Sequence, residues 1–572
     1  MNSERLLAHF ERISEAPDAI ARLRRFILDL AVRGKLVEQD PDEATSAHNL
    51  DELRKQKDLA YAVEGLRARK PITAIQPTEL WFNFPNSWML CSFDDALVIV
   101  SGVTKGQRIP SGETSVDVPY LRVANVQRGW LDLSEVKLIA VRASDVDRYR
   151  LANQDILMTE GGDWDKLGRA AIWRGEIACC IHQNHIFRLR TPSDSILPEW
   201  VVLYANSDCG RRFFEDSSKQ TTNLASINLT QLRSCPIPLP PLAEQHRIVA
   251  KVDELMALCD QLEAARQQRE QHRERLVDAT LQRLNQPAED PASYRQDASF
   301  AQQVLPSLTT TPAQIKQLRQ TILNLAVRGK LVEQDPEDEP VEDLLQLIAV
   351  EKTSRRSARA RSTPDERVEG WCSIPASWNF VRLDKVSTVI MGSSPPGSTY
   401  NKTGDGVPLI NGPVEFTPGP FGRTTINQYT TDPSAFCEEG DFLVCVRGST
   451  TGRTNIAAFR ACIGRGVAAI QPMFEDKFIR LAIRVRQEAI LQMGRGIAFP
   501  SISREQLSGL PVPLPPLAEQ HRIVAKVDEL MALCDQLEQQ LSQADQQRGR
   551  LLEAVLAEAL GEPENALGAA YA

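Results

Sequence analysis

The sequence predicts an α+β chain in which two mixed α/β domains alternate with long helices in an internal, pseudo-two-fold repeat. Three observations predict it. The stretch PLPPLAEQHRIVAKVDELMALCDQLE occurs twice, letter for letter, at 238–263 and 513–538. A second block, AVRGKLVEQDP, is identical at Ala31–Pro41 and Ala326–Pro336. Between these blocks lie two inserts of short alternating runs broken by Gly, Pro and Asn turns, the pattern of strands. Identity of this length inside one chain means two copies of one structural unit.

At 572 residues the chain is too long for a single core. An apolar content of 42% and a charged content of 25% are ordinary for a globular protein. No apolar run approaches the length of a membrane span. The acidic opening MNSERLLAHFERISEAP lacks the apolar core of a signal peptide. The eleven cysteines follow no framework spacing and read as reduced thiols in a cytoplasmic protein. A net charge of −9 argues against a simple basic nucleic-acid binder. Its distribution is uneven, however. Residues 371–511 carry 14 basic against 11 acidic side chains, and residues 81–235 carry 17 against 18. The acidity therefore belongs to the helical parts, and any polyanion must be met by local patches on the inserts.

In chain order, residues 1–80 form a helical frame segment. Ile20, Leu23, Ile27 and Leu30 recur at helical spacing, and Gly34 then Pro41 make the stop. Residues 81–237 are the first insert. Residues 238–285 are a long helix with Ile248, Val252, Leu255, Cys259 and Leu262 spaced 4-3-4-3, a heptad seam. Its middle, EAARQQREQHRER, is too polar for a deep core. Residues 286–311 read as a linker. Residues 312–370 repeat the frame, with Thr311 as N-cap and Pro312 at the first helical position. Residues 371–512 are the second insert. Residues 513–572 are the second long helix, with the seam Ile523, Val527, Leu530, Cys534 and Leu537. PIPLPP and PVPLPP read as hinges where each insert rejoins its helix.

Both inserts open on Pro-x-Ser-Trp (FPNSW and IPASW), which anchors a Trp in a small core. Their clearest strands fall in corresponding places: VPYLRVANV and NQDILMTEGG in the first, VPLINGPVEF and GDFLVCVRGS in the second. Variable loops on a constant scaffold are where recognition varies. Arg, Lys, Asn and Gln suit base edges and phosphates. The DNA-binding candidates in the first insert are Lys105, Gln107, Arg108, Arg122, Asn125, Gln127, Arg128, Lys166, Arg169, Lys219, Gln220 and Asn223. Those in the second are Arg423, Arg447, Ser449, Thr450, Arg453, Arg465 and Arg495. No catalytic residues are assigned. CCIHQNH (Cys179–His185) fits no zinc spacing, so no metal site is expected. EGGDWDKLGR lacks the phosphate-loop pattern, and methyltransferase, helicase and nuclease motifs are absent.

The segments PIPLPPLAEQHRIVAKVDEL, AVRGKLVEQDP, VPYLRVANVQRGWLDLSEVKLI and DILMTEGG followed by GRAAIW resemble the specificity subunit of type I restriction-modification enzymes. The resemblance covers nearly the whole chain. It implies that each insert is a target recognition domain reading one half of a split double-stranded DNA site. It implies that the long helices form an antiparallel coiled coil that sets the spacer. It also implies docking of two modification (methyltransferase) subunits and optionally of two restriction subunits. S-adenosylmethionine, ATP and Mg would then sit on those partners, with no cofactor in this chain and no membrane association. Two other readings stand beside it: a fused DNA methyltransferase or nuclease, and a coiled-coil adaptor whose inserts bind protein.

Overall fold

The computed structural model describes residues 14–560 except 44–49, 67–69, 71, 73–79, 81, 107–108, 111–112, 163–165, 222–223, 287–290, 356–367, 420–421, 474–475 and 495–500. The described residues fall into two compact units, one within 1–268 and 545–572, the other within 269–544.

In the first unit the frame helix α1 (Ala19–Val32) turns Ile27 and Leu30 inward, with Ile20 and Leu23 half-buried. It stops at Gly34, whose φ of 66° lets Lys35 N donate back to Leu30 O at 2.9 Å. A side chain at Gly34 would put Cβ 2.3 Å from Pro85, so frame and insert meet there through bare backbone. Helix α2 (Leu50–Val63) follows. Strands β1 (Met89–Ser92), β2 (Val98–Ser101), β3 (Ser115–Leu121), β4 (Lys137–Arg142), β5 (Ile156–Thr159), β6 (Ala170–Ile172), β7 (Ile181–His182) and β8 (Ile186–Arg190) build the insert. One antiparallel sheet has the order β2-β8-β5-β6; a second, β4-β3-β7, pairs β3 with β7 in parallel. Helices α3 (Pro198–Asn206) and α4 (Asp208–Ser217) close the core, where Trp88 meets Trp200 edge-on at 5.3 Å. Strand β9 (Pro236–Leu239) then pairs antiparallel with β1. PIPLPP is thus not a free hinge. It is half of a two-stranded neck, and prolines are tolerated because such a ribbon leaves their missing N–H on an open edge.

The helix α5 (Leu242–Asn285) is 44 residues long, about 66 Å at 1.5 Å per residue. Its part in the first unit seats the seam on the unit's own frame. Ile248, Val252 and Cys259 are buried in one cluster with Ile27, Ala31 and Trp88, and Leu255 is half-buried. Leu262 is 40% exposed and leaves the seam. The heptad spacing here serves packing against a short frame helix and the domain root. The polar span beyond it is tied down as well: Glu263 and Asp260 hold Arg24 at 3.0 and 2.6 Å, and Arg266 donates to Ala16 O. Leu552, Leu556 and Leu560 cover a further face of α1, packing with Ala19, Phe26 and Leu30.

The second unit repeats this plan. The stretch read as a linker contains helix α6 (Pro291–Leu308). Its Ala301 and Leu305 pack on Val277, Leu281, Leu284 and Leu325. Turn-type residues had masked that apolar face. Helix α7 (Pro312–Val327) is capped as expected, Thr311 Oγ1 accepting from Gln314 N, and α8 (Val341–Arg355) follows. The insert strands are β10 (Asn379–Arg382), β11 (Ser387–Met391), β12 (Val407–Ile410), β13 (Phe442–Cys445), β14 (Thr454–Ile456), β15 (Ala461–Ile463) and β16 (Val467–Pro472). The order β11-β16-β13-β14 and the parallel β12–β15 pair reproduce the first domain. Helix α9 (Asp476–Val485) and strand β17 (Pro511–Leu514), paired with β10, complete the domain before α10 (Leu517–Leu560). Ile523, Val527 and Cys534 are buried with Ile322, Ala326 and Trp378; Leu530 and Leu537 are half-buried.

Candidate functional site

Each insert is fastened to its helix by the same small polar joint. In the first unit Glu244 is 2% exposed. Its Oε1 accepts from Gln39 Nε2 at 2.5 Å and its Oε2 from Trp88 Nε1 at 2.9 Å, while Ser87 Oγ donates to Gln39 Oε1. In the second unit Glu519 accepts from Gln334 at 2.5 Å and from Trp378 at 2.9 Å, and Ser377 donates to Gln334. Burial raises both carboxyls above the ordinary glutamate value, against the pull of these donors. Arg522 closes the second joint on Asp338 at 2.6 Å, as Arg247 does on Glu43 in the first. Arg319 clasps Asp535 and Glu538 at 2.7 and 2.8 Å, the counterpart of Arg24. Apart from Glu43 standing where the second copy has Asp338, the pieces are the same in both copies, so the joint orients a domain without telling one domain from the other.

The copies differ where three loops of each domain meet. In the first, Val103 N donates to His182 O, Glu160 N to His185 O and Ile227 N to Glu160 O. In the second, Ser393 N donates to Ile463 O, Val446 N to Gly466 O and Ile502 N to Val446 O. The matching bonds make the two clefts topologically equivalent. They place Arg447, bridged to Ser501, where the first domain has Gly161, paired with Ser226. They place Arg465 opposite Asn184, and Gly466 opposite His185.

The second cleft has a volume of about 650 Å³ and is lined by Ser394, Pro395, Tyr400, Asn411, Arg447 and Arg465, with Gly448 and Gly466. Its walls are close-packed: a Cβ at Gly466 would sit 2.6 Å from the backbone Asn411 O. Arg465 N donates to Ser394 Oγ, and Tyr400 Oη donates to Pro395 O. Both arginines are exposed, and no carboxylate lies within ion-pair distance of either among the described residues. In the first domain the same place carries His185, Asn184 and Glu160. His185 is 54% exposed and its Nδ1 lies 2.5 Å from Glu160 Oε2.

The sequence candidates separate accordingly. Arg447 and Arg465 share the second cleft; Ser449 and Thr450 follow Arg447 in the same turn. Arg453 turns inward and donates to Phe416 O, and Arg423 pairs on the surface with Glu439. Lys105 is exposed on the loop after β2. Gln127 and Arg169 are joined at 2.7 Å, and Lys166 lies on the adjoining turn. Arg128 donates to Leu167 O and reaches a cavity of about 590 Å³ that Arg24, Arg25, Leu28, Val252 and Met256 also line. Arg122 pairs with Glu135 at 3.2 Å. Asn125, expected at a base edge, is 3% exposed. Its Oδ1 accepts from Arg122 N and its Nδ2 donates to Asp132 O and Glu135 O, so it builds the turn. Lys219 and Gln220 lie in a strand paired with residues 224–226. Gln107, Arg108, Asn223 and Arg495 lie outside the described residues. Sequence reasoning missed Ser394, Tyr400 and Asn411, and it missed Glu160 and Asn184. Aligning the strand ends of the two inserts, TEGG on CVRG, was the available signal.

In CCIHQNH the buried His182 donates its Nδ1–H to Ile186 O, and burial lowers it to about 4. Cys180 is buried and Cys179 exposed at a φ of 55°. Among the described residues no three His, Cys, Asp or Glu side chains are grouped so as to hold a metal ion.

Comparison with known proteins agrees with this architecture. The family model described as "Type I restriction modification DNA specificity domain" matches residues 103–270 and 375–544, one match per insert with the start of its long helix. The chain belongs to the type I restriction-modification specificity-subunit family. The EcoEI specificity subunit of Escherichia coli is 26% identical over 95% of this chain and 94% of its own. A type I specificity subunit of Methanocaldococcus jannaschii is 26% identical over 82% of this chain and 93% of its own. A solved HsdS subunit from Thermoanaerobacter tengcongensis covers 84% of this chain and 98% of its own, at 22% identity and a TM-score of 0.45. As a specificity subunit the chain is the non-catalytic member of its system. It carries two recognition domains and acts with DNA and the other subunits. No helix among the described residues is long and apolar enough to cross a membrane.

Proposed function

We propose that this specificity subunit reads a bipartite duplex DNA site, each recognition domain contacting one half-site through its three-loop cleft. One observation carries the reading: an unchanged joint, Glu244–Trp88 and Glu519–Trp378, holds two equivalent clefts with different contents. Two readers on one frame multiply discrimination without either needing a large interface. The repeated frame offers equivalent surfaces to two copies of a modification subunit, as internal pseudo-symmetry allows. Methyl transfer, with S-adenosylmethionine, and any ATP- and Mg-dependent cleavage belong to those partners, in the cytoplasm. The helices α5 and α10 set the distance between half-sites.

A domain exchange tests this. Residues 81–237 are replaced by the corresponding insert of another specificity subunit, the full chain is assembled with its modification subunits, and the methylated motif is sequenced. One half-site should change while the other half and the spacer persist. An unchanged motif, or one altered in both halves, defeats the proposal. Methyl transfer by the isolated chain would instead favour a fused enzyme, and binding without sequence preference would favour an adaptor.

A further inference from the structure

The two clefts share the three backbone hydrogen bonds given above and differ in their side chains. That difference sorts the side chains by task. Contacts to phosphate position a protein and carry no sequence information, so two copies of one scaffold can keep them in common; contacts to base edges must change with the sequence read. Arg447 stands where the first domain has Gly161, and Arg465 where it has Asn184. These are the variable positions of a constant cleft. An arginine fork donates in bidentate fashion to guanine O6 and N7, the commonest specific protein–DNA contact. Neither guanidinium is held by a carboxylate among the described residues, whereas Arg423 and Arg460 on the same domain are paired with Glu439 and Glu438. Both backbones are pinned, Arg447 to Ser501 and Arg465 to Ser394 Oγ, so the forks start from fixed points.

Resting on the recognition reading above, we infer that Arg447 and Arg465 read guanine in the second half-site from the major groove, with Tyr400 and Asn411 walling their cleft. The first domain, with Asn184 and His185 there, reads a different base.

The test uses the full chain assembled with its modification subunits and a duplex carrying the motif methylated in the host genome. The half-site belonging to the second domain is assigned by the domain exchange. Each guanine in it, on either strand, is replaced in turn by 7-deazaguanine, which lacks the N7 acceptor. At least one replacement should weaken wild-type binding about 10-fold, within the range for a bidentate arginine–guanine pair. R447K and R465K keep the charge and lose the fork; one or both should become indifferent to that replacement while still discriminating the first half-site. R447A and R465A, followed by thermal melting to confirm folding, should behave alike. Equal weakening on all sequences with a shallower salt dependence would show phosphate contacts and overturn the inference. So would a second half-site without guanine, or lysine variants that discriminate as wild type does. If the wild-type complex shows no sequence preference at all, the recognition reading fails as well.

Discussion

Replacing Trp88 with Phe probes the joint that orients the first recognition domain. Trp88 is 5% exposed and its partner Glu244 is 2% exposed. The substitution removes the 2.9 Å Nε1–H donor and leaves a carboxylate oxygen buried without it. A hydrogen bond to a charged group contributes about 1.5–3 kcal/mol. The smaller ring also loses roughly 40 Å² of apolar burial, about 1 kcal/mol. We expect a cost of about 2.5–4 kcal/mol, read by urea titration with hydrogen exchange followed in α1, and an equal cost in α7 for Trp378→Phe. The sign of the pH dependence follows from Glu244. Burial raises its folded value above the unfolded one, so its stability contribution is full below the unfolded value and is lost as pH rises through the folded one. Losing the Trp donor raises the folded value further. The deficit of Trp88→Phe relative to wild type should therefore grow as pH rises from the ordinary glutamate range to neutrality. A deficit below about 1 kcal/mol, or one that shrinks with rising pH, would refute the role given to the joint.

Asp29, 2% exposed, accepts from Asp208 N at 3.0 Å; burial and then the Asp208 charge raise its carboxyl, and the second copy has Asn324 at this position. Asp29→Asn should raise the melting temperature at pH 8 and leave it nearly unchanged at pH 5, and no gain at pH 8 would contradict the assignment. Glu64 binds Arg188, itself 2% exposed, at 2.5 Å and Arg190 at 2.7 Å, so Glu64→Ala strands a buried cation and should cost about 3–5 kcal/mol in calorimetry. Asn125→Ala removes three hydrogen bonds inside one turn and should lower stability by about 2–3 kcal/mol while the methylated motif stays the same, and an altered motif would return Asn125 to the base-reading set.

The repeated frame was legible because its information is local. The α1 stripe, the Gly34 stop, the Thr311 cap and the Pro-x-Ser-Trp anchor each follow from spacing within a few residues, and their recurrence marks two units. The corresponding strands Ile156–Thr159 and Phe442–Cys445 were legible for the same reason. Three features were not. The apolar face of α6 was hidden by Pro, Ser and Thr, and it became a helix only by packing on Leu281 and Leu325. The prolines of β9 and β17 suggested hinges, but pairing across 129 to 150 residues with β1 and β10 made them strands. The heptad spacing of Ile248 to Cys259 announced a seam without naming the surface that would cover it.

The sequence by itself determined that a single unit occurs twice with different inserts, and the family resemblance that follows. Only the tertiary structure decided which polar side chains share a cleft. Two arginines of one loop, Arg447 and Arg453, differ in whether a backbone carbonyl brought in from elsewhere in the chain already uses the guanidinium, as Phe416 O does for Arg453. Those neighbours are set by strand pairing at long range, which leaves no periodic signal along the chain.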